Sequence, residues 1–167
     1  AEITVILTAS AQRIIAPLAV RGASQAEVIT DWAGDLSALN PATAVLVAPA
    51  TRDVIASHLH GLQHGPLMMA LSVARSRKTP IMMIPSMHID LANDPMTDEL
   101  VDRAREQGIV IQWGKEEEGK RKTPDHVHTV ASFCHLMNAS KANRKSIVIN
   151  PGATKAAIDD VRFGQKY

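Results

Sequence analysis

Residues 44–51 read Ala44-Val45-Leu46-Val47-Ala48-Pro49-Ala50-Thr51, and the fold turns on them. The first five are apolar and rich in Val and Leu, the pattern of a short strand buried on both faces. Pro49 stiffens the turn that leaves the strand. Thr51 then offers a hydroxyl at the start of Thr51 to Leu62, which reads as a helix. A buried strand that passes through a tight turn into a helix is half of a βαβ unit, so the same pattern is expected on either side.

Upstream, Ile3 to Thr8 (ITVILT) reads as a strand, and Ala9 to Arg21 as a helix interrupted at Pro17. Downstream, Leu67 to Ala74 continues the helical pattern past Gly65-Pro66, and Ile81 to Ile84 (IMMI) is a second buried strand. Thr97 to Gln107 reads as a polar-faced helix stopped by Gly108, with Ile109 to Gln112 (IVIQ) as a third central strand. The charged stretch from Gly114 to Pro124 reads as a surface loop, and His126 to Met137 as a last helix. Ala139 to Lys145 reads as a polar linker before one more strand, Ser146 to Asn150 (SIVIN). The alternation predicts an α/β fold with a doubly wound parallel sheet.

Composition agrees with such a core. The 167 residues are 46% hydrophobic but only 3% aromatic, so Val, Ile, Leu, Ala and Met must fill the interior. So few aromatics argue against a stacking platform for single-stranded nucleic acid. A formal net charge of +1 gives no strong pull toward nucleic acid or an anionic membrane. The single cysteine, Cys134, excludes an internal disulfide and suggests a reducing, cytoplasmic compartment. No apolar run reaches the length of a membrane span, and no signal peptide is evident.

Parallel sheets bind ligands at the carboxyl ends of their strands. Function is therefore expected at Thr8-Ala9-Ser10, Pro49-Ala50-Thr51, Pro85-Ser86-Met87-His88 and Pro151-Gly152-Ala153-Thr154. A hydroxyl beside the free N–H groups of a helix N-terminus makes an anion site. Thr51, with Thr8 and Ser10 from the neighbouring strand end, could hold a phosphate, or Thr51 could be an N-cap and nothing more.

Two of these strand ends carry a family resemblance. Ala48-Pro49-Ala50-Thr51 and its helix resemble the strand–PASANT–helix element of the flavin-containing cysteine decarboxylases. Pro85-Ser86-Met87-His88 with Asn93-Asp94-Pro95 is similar to that family's PxMN segment, in the variant with His at the last place. Glu117 to Pro124 resembles the loop after the domain's last strand in bifunctional coenzyme A biosynthesis proteins. Asn150 to Thr154 with Ile158 to Phe163 resembles the opening of the phosphopantothenate–cysteine ligase domain that follows there.

The resemblance implies a flavodoxin-like, Rossmann-type three-layer sandwich that binds FMN and acts on phosphopantothenoylcysteine. In that chemistry the carbon bearing the thiol is oxidised by hydride transfer to the flavin, which makes loss of CO2 easy. It also implies a flavoprotein domain over 1–138. Residues 139–167 would then be a linker and strand resembling the start of a ligase domain, or a segment completing the sheet. Cofactor contacts fall to Thr8, Ser10, Thr51, Asp53 and Met68, and substrate contacts to Met87, His88, Lys120 and Lys122. A homo-oligomer, trimer-based, is implied as well. The apolar helix Leu67–Ala74 reads as a face larger than a monomer exposes.

The sequence departs from the family in places that bear on chemistry. Asp35 stands where the catalytic His is expected, so Asp35 or His88 would have to replace it. Arg52 and Asp53 replace the Ala and Asn of the PASANT element, and Asp53 near a phosphate is unfavourable unless Arg52 offsets it. The substrate-flap Cys is absent, since Cys134 falls on the last helix. Family members have a strand and a Gly-Ser loop ahead of the strand equivalent to Ile3–Thr8. Ser146–Asn150 is a strand of the right kind to fill that slot. These departures keep open a second class of function, a non-decarboxylating redox or regulatory flavoprotein, and a third, flavin prenyl transfer. His60 and His64 share a helix face at i, i+4 but lack further ligands at a matching spacing, so surface histidines are expected rather than a metal site.

Overall fold

The computed structural model describes residues 2–31 and 42–139, and the backbone of residues 146–151. Asp35 lies outside the described residues. In chain order the elements are β1 (Glu2–Ile6), α1 (Ala9–Gln12), α2 (Pro17–Ser24), β2 (Glu27–Ile29), β3 (Ala44–Ala50), α3 (Arg52–Leu59), α4 (Pro66–Ser76) and β4 (Ile81–Pro85). They continue with β5 (Met87–His88), α5 (Ile89–Ala92), α6 (Pro95–Glu106), β6 (Val110–Ile111), β7 (Glu116–Glu117), β8 (Lys120–Arg121), α7 (His126–Ala139) and β9 (Ser146–Pro151).

Six strands form one sheet in the order β2-β1-β9-β3-β4-β6, with every pairing parallel. The two-residue period of the strands sorts the core into layers. Val45, Val47, Ile81 and Met83 point to one face, where they pack with Ile55 of α3, Leu71 of α4 and Leu100 of α6. Their neighbours Ala44, Leu46, Met82 and Ile84 point to the other and meet Phe133 of α7. Val5 and Leu7 pack with Val20 of α2 and Val28 of β2. This is the doubly wound three-layer arrangement that the alternation predicts.

β9 lies between β1 and β3, pairing Ile3 with Ile147 and Val45 with Val148. The position beside Ile3–Thr8 is thus filled by β9, and neither β1 nor β3 presents an unpaired edge there.

Three expectations are corrected. Ile109–Gln112 is not a central strand: only Val110 and Ile111 pair, with Met82 and Met83, and β6 ends the sheet. Val110 is accordingly 40% exposed. The charged stretch after it is not an open loop. β7 and β8 form a hairpin whose turn residues, Glu118 and Gly119, both have positive φ, at 53° and 68°. That is the requirement of a two-residue type I′ turn. Glu-Gly is a weak form of the usual Asn-Gly signal, and the charges around it hid the strands. Finally, the apolar face of α4 is not offered outward, because Leu67, Met68, Ala70, Leu71 and Ala74 are all buried in the core. Among the described residues the most exposed large apolar side chains are Leu18, at 76%, and Val127, at 66%.

Candidate functional site

Because the strands are parallel, their carboxyl ends share one edge of the sheet. Ala48 is level with Pro151, and Ala50 with Pro85. Two helices start there on hydroxyl caps. Thr8 caps α1, its Oγ1 accepting from the Ala11 N–H at 3.2 Å, and Thr51 caps α3, its Oγ1 accepting from the Val54 N–H at 3.2 Å. The first-turn N–H groups of Arg52 and Asp53 have no intrahelical acceptor, as at any helix start. Thr51, Asp53 and Ser10 are exposed, and Thr8 is half-buried. The Asp53 carboxylate has no partner among the described residues. Thr51→Ala removes the α3 cap and should lower stability by about 1 kcal/mol. A thermal melt should read this as a drop of about 2–4 °C.

Arg52 does not neutralise Asp53. Its guanidinium pairs through Nη1 with Asp94 Oδ2, across to the start of α6. Asp94 also caps α6, Oδ1 accepting from the Met96 N–H at 3.0 Å. That backbone bond, followed by the one from Arg52, holds the Asp94 carboxyl below the usual carboxylate range. Met68 is 3% exposed and belongs to the main core.

A second, three-stranded sheet stands beyond the end of β4, in the order β5-β8-β7. It brings together residues more than thirty positions apart in sequence. Met87 pairs with Arg121 and His88 with Lys120, both antiparallel. Alternation then buries Met87 and exposes His88. The Ile89 N–H donates to the Gly119 carbonyl at 2.9 Å, tying the hairpin turn to α5. The Arg121 guanidinium lies over the Trp113 ring, 4.7 Å from its centroid, a cation–π contact that seats β8 on the chain leaving β6.

The expected substrate residues differ in how free they are. His88 is exposed, with Nδ1 3.2 Å from Asp90 Oδ2. Lys122 is taken by two carboxylates, Glu118 at 3.0 Å and Glu117 at 3.1 Å. These bonds raise the Lys122 amine above its ordinary range and lower Glu118 below its own. Lys120 makes no hydrogen bond or ion pair among the described residues. Sequence reading missed Asp90, a local contact two residues from His88, and also Trp113 and the Arg52–Asp94 pair, whose contacts depend on a register or a helix approach that no local pattern encodes. Gln112 was also missed. It leaves β6 at the same edge, and its buried Oε1 has no partner among the described residues. Among the described residues no three His, Cys, Asp or Glu side chains come together as metal ligands, and no helix is long and apolar enough to cross a membrane.

Comparison with known proteins follows the same lines. The chain is 27% identical over 170 residues to the coenzyme A biosynthesis bifunctional protein CoaBC of Thermococcus kodakarensis, covering 98% of this chain and 42% of that protein. It is 27% identical over 181 residues to the CoaBC of Bacillus subtilis, covering 98% and 44%. It therefore spans less than half the length of these relatives. Among solved structures it resembles the FMN-dependent cysteine decarboxylase SpaF, with a TM-score of 0.66 and 19% identity over 82% of this chain and 97% of that one. It also resembles a PPC decarboxylase mutant complexed with pantothenoylaminoethenethiol, with a TM-score of 0.60 and 14% identity over 83% and 98%. At these identities the structural likeness establishes the fold. The Flavoprotein family profile matches residues 1–138, most of the chain and all of the sheet except β9, and the chain belongs to the Flavoprotein family.

Proposed function

We propose that this chain binds FMN at the carboxyl edge of its sheet and serves as the decarboxylase for a phosphorylated cysteine conjugate such as phosphopantothenoylcysteine. The supporting observation is the pairing of Met87 and His88 with Arg121 and Lys120, on a strand that follows Pro85, itself paired with Ala50 next to Thr51. The residues present suit the cofactor. Thr8, Ser10 and Thr51 bear hydroxyls and the first turn of α3 has free N–H groups, a donor set for a phosphate. The Gln112 Oε1 is a buried acceptor without a partner among the described residues, suited to a ring N–H. Asp53 and the phosphate would compete for the start of α3, so the phosphate belongs on the Thr8–Ser10 side of Thr51.

Bound FMN would supply the redox chemistry as hydride acceptor. The chain supplies orientation and protons. Lys120, in no ion pair among the described residues, would meet an acidic group of the substrate. Met87 would give an apolar wall. His88, oriented by Asp90, would hold or accept a proton at the ring, with Asp35 as the second acid–base group. Lys122 would contribute only on releasing Glu117 and Glu118. The same reading takes 1–138 as the flavoprotein unit and 139–167 as a tail resembling a ligase start that lends β9 to the sheet. It also takes the protein as a cytoplasmic, trimer-based homo-oligomer, whose contact would cover exposed apolar residues such as Ile14 and Leu18.

Titration with FMN at micromolar protein should quench flavin fluorescence, and the loaded protein should release CO2 from phosphopantothenoylcysteine while scattering light as more than a monomer. Absence of quenching would overturn the cofactor. Quenching without CO2 release would leave a flavoprotein of another activity.

A further inference from the structure

We propose that Arg52 is a positioning residue that locks the substrate-side hairpin to the turn after β3. The proposal deepens the functional reading above, but its physical basis is independent of any ligand. Arg52 opens α3, one residue past Thr51. Its Nη1 reaches Asp94, the cap of α6, and lies 3.5 Å from the Oγ1 of Thr97 in the first turn of α6. Thr97 is 1% exposed, and its hydroxyl donates in turn to the Leu91 carbonyl at 2.6 Å, in α5. α5 begins at Ile89, whose N–H is held by Gly119 at the tip of the β7–β8 hairpin.

One guanidinium therefore joins the β3–α3 turn to α6, through Thr97 to α5, and through α5 to β5 and the hairpin. These are the two regions that must be held in register if a ligand on one is to react with a ligand on the other. The bond is charge-assisted, so it is among the stronger ones a side chain makes. Asp94 is committed to it while keeping its second oxygen for the helix cap. Alanine at position 52, the residue in the family's motif, would remove this side-chain tie and leave the Ser86 N–H to Ala50 carbonyl bond, at 3.2 Å, and the packing of α3 on α6 to join the two regions.

Native-state hydrogen exchange on the full chain tests this without added flavin. In Arg52→Ala the amides of Ile89 and Lys122 should exchange roughly tenfold faster, as expected when local opening becomes easier, while amides of the buried α4 turn around Leu71 stay at wild-type rates. Asp94→Asn keeps an oxygen for the Met96 N–H but loses the charge, so it should reproduce the effect. The double variant should add little to either single one. Arg52→Lys should restore part of the protection. Wild-type exchange at Ile89 and Lys122 in Arg52→Ala, or an effect spread evenly over α4, would overturn the proposal. Failure of FMN to bind the unmodified protein would instead overturn the reading of function and leave this test intact.

Discussion

Gly114→Ala should lower the unfolding free energy by about 3 kcal/mol, at the upper end of what overpacking costs. A Cβ at this position would lie 2.3 Å from the Lys122 carbonyl oxygen, 2.4 Å from the Thr123 carbonyl carbon and 2.6 Å from the Pro124 nitrogen. All three are backbone atoms, so no side chain can rotate away. The glycine is needed here for a close approach, where the chain entering the hairpin crosses the chain leaving it. The Lys122 N–H donates to the Lys115 carbonyl at 3.0 Å just beside this crossing. A Cβ would force the two segments apart, break that bond and unseat Arg121 from Trp113. For a chain of this size the melting temperature should fall by roughly 6–12 °C. Trp113 should report the change in fluorescence. A variant that melts with the wild type and keeps the Lys122 amide protected would show that the crossing is not held as described.

Acid should remove a comparable amount of stability through His58. This side chain is 2% exposed, in α3, and neither ring nitrogen has a partner among the described residues. Burial, and then the Arg75 guanidinium, push its pKa down to about 4 from the ordinary 6.5. Arg75 is itself fixed by donating to the His58 carbonyl at 2.9 Å. The folded pKa lies below the unfolded one, so the fold accepts only the neutral ring while the unfolded chain takes up a proton. The contribution is intact above about pH 6.5 and is lost progressively as pH falls to about 4. The total is about 3 kcal/mol, and there is no further loss from this residue below pH 4. Carboxylates such as Asp94 add their own acid loss, so the variant to compare is His58→Leu. No hydrogen bond is lost in that change, and stability at pH 7 should hold or rise. Denaturant titrations between pH 7 and pH 4 should show the two proteins diverging by about 3 kcal/mol. Parallel curves would remove His58 from the account.

Much of the fold was legible because it depends on short-range rules. Ala44–Ala50 and Ile81–Pro85 are strands buried on both faces, and such strands announce themselves as unbroken apolar runs. Thr51 marks a helix start for a local reason, as a hydroxyl cap, whereas Pro17, read as an interruption of one helix from Ala9 to Arg21, begins a separate helix because its ring suits the first turn. From these, the expectation that function sits at the carboxyl edge of the sheet follows without coordinates. Glu27–Ile29 escaped notice because three residues carry too little pattern.

The site was legible as separate motifs and no further. That Pro49-Ala50-Thr51 and Pro85-Ser86-Met87-His88 resemble family segments is a property of the letters. That His88 faces Lys120 is a property of register, held between β5 and β8 by the Ile89 N–H to Gly119 carbonyl bond at the hairpin turn, which does not read as a strand signal. The partner of Arg52 depended on how α3 and α6 approach, so charge counting along the chain pointed to Asp53 when Asp94 holds it.

The sequence by itself determined the class of fold, the position of the strand ends proposed to bind ligand and the strand character of Ser146–Asn150, because each follows from apolar periodicity and turn chemistry within a dozen residues. Tertiary structure alone decided that this strand enters between β1 and β3, that the charged loop is a hairpin over Met87, and that the buried His58 ring has no partner among the described residues. Those outcomes rest on contacts between segments far apart in the chain, where pairing, desolvation and close approach are settled by the whole assembly of elements rather than by any one of them.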